Sequence, residues 1–274
     1  MKIAVCDSGL GGLDIAARLY SKGGEGELIY FNVWPEVDRG FGKMPPEERV
    51  CVWEKAFESI ASFKPDLLVI GCNTLSVIHR RSGKYACGTL PVLDIVDAAT
   101  GILGDFLREN PEKNLLILGT AETVHSQCYK KRLVESGTAA SRIAGLPCPG
   151  VATAIEKSPS GKELEELIAH FAREGRNLLG EDLSSFALGL CCTHFGYVPE
   201  LWKKYFSSEI LLNPNERILE NTAFPEGNGK IRVKIISKIP IPEEKKIAML
   251  PFFAENAPGI AEALKNYSFI PDLF

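Results

Sequence analysis

The sequence predicts an α/β protein built on parallel sheets and divided into two similar halves. Three observations carry this. Short apolar runs recur along the chain, and several are apolar at consecutive positions, as in strands covered on both faces. Helical periodicity fills the stretches between them, so strands alternate with helices and right-handed crossovers follow. Two strand-turn units also echo two later ones, DLLVIGCNTLSVI with SFALGLCCTHFGYV and KIAVCDSGLGG with NLLILGTAETV. The paired cysteines, Cys72 and Cys192, are 120 positions apart, and the paired Ser8 and Thr120 are 112 apart. Similar offsets point to two halves facing each other. The competing reading is that strand-turn-helix units look alike wherever they occur.

Strands are expected at 2–6, 27–31, 66–70, 91–95, 114–118, 143–147, 185–190 and 209–212, each rich in leucine or β-branched residues. In 45–63 the residues Val50, Trp53, Phe57 and Ile60 recur at helical steps behind Pro45-Pro46-Glu47-Glu48, a helix start. Pro65 blocks its continuation. In 161–179, Leu164, Leu167, Ile168, Phe171 and Ala172 share one helical face. Shorter helices are expected at 13–19, 98–107 and 124–134. Residues 223–249 break the pattern. Turn residues lead into an alternating stretch at 231–236, ended by Ile239-Pro-Ile-Pro, which reads as an appended loop or hairpin with an edge strand and no evident function.

A chain of 274 residues makes one large or two medium domains. With 45% apolar and 24% charged residues, a disordered or fibrous chain is excluded. The net charge of −4 offers no general field for nucleic acid or an anionic membrane. No run approaches the ~18 apolar residues of a membrane span. The start MKIAVCDSGLGG lacks the regions of a signal peptide, so a cytoplasmic protein is expected. Eight cysteines stand at 6, 51, 72, 87, 128, 148, 191 and 192, without a C-x-x-C. Neither a disulfide framework nor a zinc ribbon is expected, and most of these thiols read as small buried hydrophobes. Cys191 reads as a neighbour of Cys192 pointing the other way.

In a parallel sheet, ligands bind beyond the carboxyl ends of the strands. The loops there begin Asp7-Ser8-Gly-Leu-Gly-Gly, Cys72-Asn73-Thr74, Gly119-Thr120-Ala-Glu-Thr123 and Cys192-Thr193-His194. Each leads into a helix start with free N–H groups and partial positive charge, and together they suit a small anion such as a carboxylate. Taken singly, Ser8, Thr74, Thr120, Thr123 and Thr193 read as helix caps. Asp7 reads as a cap or as a buried partner of a backbone amide. Gly9-Leu-Gly-Gly12 matches neither phosphate-loop pattern and reads as a tight turn. His194 with Cys192 makes only two metal ligands, and no metal is expected.

The two thiols, each between a buried strand and a helix, are expected to have pKa values drawn down from about 8.5 by the helix terminus. In facing halves they would approach one ligand from opposite sides. Stereoinversion at a carbon bearing an acidic proton requires such a pair. One group takes the proton from one face, the other returns one to the opposite face, and a thiol can serve in either role near neutrality. Nothing in this chemistry calls for a cofactor.

The motifs, taken together, resemble those of the glutamate racemases in the aspartate/glutamate racemase superfamily. D-S-G-x-G-G is Asp7–Gly12, and C-N-T is Cys72-Asn73-Thr74. T-x-x-T…S…Y is Thr120, Thr123, Ser126 and Tyr129. C-P with a later Glu is Cys148-Pro149 and Glu156, and C-T-H with an aromatic is Cys192-Thr193-His194-Phe195. The resemblance implies two Rossmann-like domains with parallel sheets, related by a pseudo-twofold axis, with the active site in the cleft between them. Residues 1–96 plus 207–274 would form one domain and 97–206 the other. It implies racemisation without pyridoxal phosphate by Cys72 and Cys192, assisted by Asp7 and His194. Ser8, Asn73, Thr74, Thr120, Thr123 and Thr193 would hold the substrate, with Glu156 near its amine. The product, D-glutamate, would feed the cell wall, and a homodimer is the assembly the family suggests.

The chain departs from that pattern after the second strand. A P-Y-G stretch is replaced by Arg39-Gly40-Phe41-Gly42, so a tyrosine hydroxyl is lost while the Phe41 and Gly42 amides remain for a carboxylate. Cys191 and Gly196 stand where glycine and proline are common. Two alternatives stay open: a racemase for aspartate or another small acidic amino acid, and a non-catalytic amino-acid-binding protein on the same scaffold.

Overall fold

A computed structural model describes residues 1–83, 90–180, 183, 185–220, 222–227 and 229–274. Cys87 lies outside the described residues. The strands are β1 (Lys2–Asp7), β2 (Gly26–Asn32), β3 (Leu67–Ile70), β4 (Val92–Asp94), β5 (Asn114–Gly119), β6 (Ile143–Pro147), β7 (Phe186–Cys191), β8 (Leu211–Leu212), β9 (Ile231–Ser237) and β10 (Ser268–Phe269). They form a six-stranded sheet ordered β10-β9-β2-β1-β3-β4 and a four-stranded sheet ordered β6-β5-β7-β8. Every strand pairing in both is parallel.

The order β2-β1-β3-β4 therefore recurs as β6-β5-β7-β8, which is the physical content of the echo in the sequence. β1 corresponds to β5, and β3 to β7. Ser8 and Thr120 follow the first pair, Cys72 and Cys192 the second. The consecutive apolar residues are explained by burial on both faces. Along β1, Ile3 and Val5 enter one core cluster while Ala4 and Cys6 enter another. Along β5, Leu116 and Leu118 divide in the same way from Leu115 and Ile117. Cys191 and Cys192 fall in different clusters, on opposite faces of the chain, as expected.

Three sequence expectations need correction. The helix expected at 124–134 is two, Ala121–His125 and Cys128–Glu135, because Gln127 between them is left-handed at φ 58°. The segment 223–249 is not an appended hairpin. β9 pairs in parallel with β2 over seven residues, from Gly26 opposite Ile231 to Asn32 opposite Ser237, and helix Glu243–Met249 follows. Its early alternation reflects one solvent-facing side near the sheet margin, and Ile235, Ile236 and Ser237 are fully within the core. The second sheet also runs on to β8, past the boundary expected at 206.

Trp202 has no exposed surface and ties helix Pro199–Phe206 to the loop after β7. Its indole Nε1 donates to the Phe195 carbonyl at 3.0 Å, and its ring lies 4.8 Å from that of Phe195. Trp202→Ala should therefore destabilise the fold by about 3–5 kcal/mol, read as a lower urea midpoint at unchanged slope.

Candidate active site

The carboxyl ends of the two sheets meet, and polar contacts stitch the loops across the seam. From the first half, the loop after β1 runs along residues 193–197 of the second. Tyr30 Oη donates to the Gly9 carbonyl at 2.7 Å and Tyr197 Oη to that of Gly11 at 3.2 Å, which pins this loop from both sides. Its glycines are needed for close approach rather than for turning alone. A Cβ on Gly11 would overlap the His194 ring and the Thr193 hydroxyl, and one on Gly9 would lie 2.7 Å from Glu156 Oε1. Arg49 and Arg81, from two helices of the first half, both pair with Glu122 beside Thr123.

On the Cys72 side, β3 ends at Ile70 and helix Asn73–Ser82 begins directly after the cysteine. Ser8 Oγ lies 3.1 Å from Cys72 Sγ. Tyr129 Oη donates to Asn73 Oδ1, while Asn73 Nδ2 is buried without a partner among the described residues. Thr74 Oγ1 is 3.0 Å from Thr120 Oγ1, which is 3.0 Å from Thr123 Oγ1, so three hydroxyls form a chain across the seam. The expected lowering of the Cys72 thiol pKa is overturned. Burial, then the neighbouring Asp7 carboxylate, push it well up, against hydrogen bonding from Ser8. One helix terminus does not offset the loss of water around a cysteine that is only 5% exposed.

On the Cys192 side, His194 Nδ1 lies 3.8 Å from the sulfur and Nε2 lies 2.8 Å from Glu156 Oε1. The same Glu156 oxygen accepts from Leu10 N at 2.8 Å, and Oε2 accepts from Lys245 Nζ at 2.6 Å. Burial works against the Glu156 charge, but the hydrogen bond and charge of His194, with Lys245, hold its pKa down to about 2. For His194, burial favours the neutral ring, yet its bonds to Cys192 and Glu156 push its pKa well up. Thr193 Oγ1 donates to Asp7 Oδ2 at 2.8 Å, and Asn215 Nδ2 donates to the Thr193 carbonyl at 3.0 Å. Burial raises the Asp7 carboxyl, and His194 and Thr193 oppose that rise.

The structure thus brings Asp7, Ser8, Cys72, Asn73, Thr74, Thr120, Thr123, Glu156, Cys192, Thr193 and His194 to one seam. Only Thr120, among the five hydroxyl residues read as caps, accepts a capping bond, from Thr123 N. Ser8, Thr74 and Thr193 instead turn to Cys72, Thr120 and Asp7. Phe41 is buried in the core cluster that holds Cys72, while Gly42 is exposed and its carbonyl accepts from Arg49 Nη2 at 3.4 Å. Among the described hydrogen bonds, none joins Gly42 to the thiol loops. Sequence reasoning missed Lys245, since nothing in a segment read as an appendage singles out one lysine. It also missed Asn215, Tyr30 and Tyr197, whose roles depend on contacts distant in sequence.

No group of three His, Cys, Asp or Glu side chains among the described residues could hold a metal ion. No described helix is long and apolar enough to cross a membrane.

No protein-family model matches the sequence. Glutamate racemase of Campylobacter jejuni is 30% identical over 223 residues, covering 80% of this chain and 84% of that protein. Glutamate racemase of Exiguobacterium sibiricum is 28% identical over 233 residues, covering 83% and 80%. Among solved structures, glutamate racemase from C. jejuni superposes with a TM-score of 0.74 at 25% identity, covering 90% of this chain and 96% of that one. The Francisella tularensis enzyme, solved in complex with D-glutamate, gives 0.76 at 20% identity, covering 99% and 97%. The fold, two parallel-sheet halves closing on one seam, is that of the two-domain amino-acid racemases. Within that class, the chain belongs to the glutamate racemase family.

The Glu156–His194 contact sets a pH window. Glu156 is held below its ordinary value, so its contribution to stability is complete above about pH 4.5 and is lost as pH falls toward 2. His194 is held above its ordinary value, so its contribution is complete below about pH 6.5 and is lost as pH rises through the raised value. The stability difference between the parent and Glu156→Gln should be largest from about pH 4.5 to 6.5 and shrink on both sides, measured by urea unfolding across that range.

Proposed function

We propose that this chain interconverts L- and D-glutamate by moving the Cα proton between Cys72 and Cys192. The observation that carries this is the placement of one thiol after each of two topologically equivalent central strands, each in a loop tied across the seam to the other half, Thr74 to Thr120 and Thr193 to Asp7. One sulfur, as thiolate, takes the proton and the Cα–H electron pair stays on carbon. The other, as thiol, gives its proton to the opposite face, and the charge states exchange with each turnover. A positioned general acid or base of this kind contributes about 10²–10⁴-fold.

The remaining residues have roles that follow from chemistry. Asn73 Nδ2, buried without a partner among the described residues while Oδ1 is held by Tyr129, is a donor suited to a substrate carboxylate. The hydroxyls of Ser8, Thr74, Thr120, Thr123 and Thr193, with the Phe41 and Gly42 amides, complete the binding set for two carboxylates and an ammonium. Asp7 and His194 assist Cys72 and Cys192 respectively. Glu156, expected near the substrate amine, is better supported as the partner that holds the His194 ring. By resemblance, Cys72 serves the D enantiomer and Cys192 the L enantiomer. The reading includes a cytoplasmic enzyme with no nucleic-acid partner that supplies D-glutamate to peptidoglycan, with a homodimer as the assembly to be tested by light scattering.

Purified protein should racemise glutamate in both directions without added pyridoxal phosphate, followed by circular dichroism. Turnover of aspartate but not glutamate would reassign the substrate. Absence of solvent deuterium at Cα with any acidic amino acid would leave only the binding protein. Cys72→Ser and Cys192→Ser should each lose about 10²–10⁴-fold in racemisation, and near-parental turnover in either would remove that cysteine from the mechanism.

A further inference from the structure

We propose that Lys245 is a positioning residue of the Cys192 half-site, acting through Glu156 on His194. The proposal rests on the racemase reading above and extends it to a segment without recognisable counterpart in the motif pattern. Glu156 has two carboxylate oxygens in a buried place, and each is taken. Oε1 holds His194 Nε2 and Leu10 N, and Oε2 holds Lys245 Nζ at 2.6 Å. Lys245 comes from helix Glu243–Met249, which follows β9 of the first sheet and packs on helix Val151–Lys157, the helix that carries Glu156. That helix is fixed at its start, where the buried Ile241 donates its N–H to Tyr267 Oη at 2.9 Å, and at its end by buried Met249. The first half thus reaches across the seam with a cation and occupies the oxygen that His194 does not use.

The consequence is geometric. A carboxylate with an unsatisfied buried oxygen turns to find a donor, and His194 Nε2 is the donor it would turn about. With Lys245 on Oε2, Oε1 stays on the ring, and the other ring nitrogen stays 3.8 Å from the Cys192 sulfur. Asp7 is also a charged neighbour of Glu156, and its Oδ2 is held by Thr193. On its own helix, Lys246 is paired with Glu243 and lies against the Tyr267 ring, so it does not share the duty.

Steady-state racemisation of glutamate is compared for the parent, Lys245→Met, Lys245→Arg, Lys246→Met, Glu156→Gln and the Lys245→Met/Glu156→Gln double variant. Lys245→Met should lower kcat by about 10–100-fold, the scale of an ångström's misplacement of a reacting group, with KM within about twofold since KM reports ground-state binding. Lys245→Arg should restore most of kcat, and Lys246→Met should match the parent. The double variant should be no slower than Glu156→Gln alone, because Lys245 acts through that carboxylate. Parental kcat in Lys245→Met, equal losses in the Met and Arg variants, or additive losses in the double variant would each overturn the proposal. If Lys245→Met does not fold, the arginine variant and the Lys245→Gln/Glu156→Gln pair decide it by the same criteria. A parent that does not turn over glutamate would refute the glutamate racemase reading, whereas the outcomes above refute only the role of Lys245.

Discussion

The buried carboxylate of Glu156 is the point on which the seam depends. It is supplied by one half and satisfied from three directions, by an imidazole of its own half and by a backbone amide and an ammonium of the other. Burying a charge is costly unless every lone pair finds a donor, and losing one donor exposes the full cost. This makes the seam specific: the halves fit only where Leu10 N and Lys245 reach the same side chain. It also explains the glycines after β1, because any side chain on Gly9 or Gly11 would hold the loops apart. Backbone conformation, close packing and charge satisfaction thus converge on one place.

Around that place the chain repeats itself in topology and departs from itself in chemistry. The recurring strand order puts Cys72 and Cys192 in equivalent loops, and the parallel sheets direct both loops to the same end. The surroundings differ. Cys72 is near an oxygen acceptor and a hydroxyl, Asp7 and Ser8, while Cys192 faces a ring backed by a carboxylate. A stereocentre is itself asymmetric, so two mirror-related proton transfers need like groups in unlike environments.

Much of this could be read in advance, for identifiable reasons. Doubly buried strands leave continuous apolar runs, and β6 was located to the residue for that reason. Loops at strand ends carry small polar residues, which is why Asp7, Ser8, Cys72, Thr120 and Cys192 stood out. What escaped were features with no local signature. Gln127 breaks a helix whose apolar periodicity continues through it, because a left-handed residue leaves that periodicity intact. β9 looked like an edge strand because alternation reports one exposed face, not the pairing direction or the neighbour. Lys245 and Asn215 act over long sequence separations, through contacts that no spacing rule encodes. The Cys72 pKa runs opposite to the expectation because a helix terminus is visible in a sequence and desolvation is not.

That last point bears on how two buried thiols can work as a pair. Cys72 is held as the neutral thiol by burial and by the Asp7 carboxylate, so the closed site by itself favours an acid at this position. A positive charge beside Cys72 would favour its thiolate. Among the described residues, Lys245 and His194 both serve the opposite side. On the proposed reading the substrate brings that charge as its own ammonium, together with carboxylates that engage the Asn73 and threonine donors. The thiolate on this face is then favoured while a ligand is bound. In its protonated state such a sulfur is a poor nucleophile. On that reading burial is compatible with catalysis, because the reactive species is favoured beside the molecule that is to react.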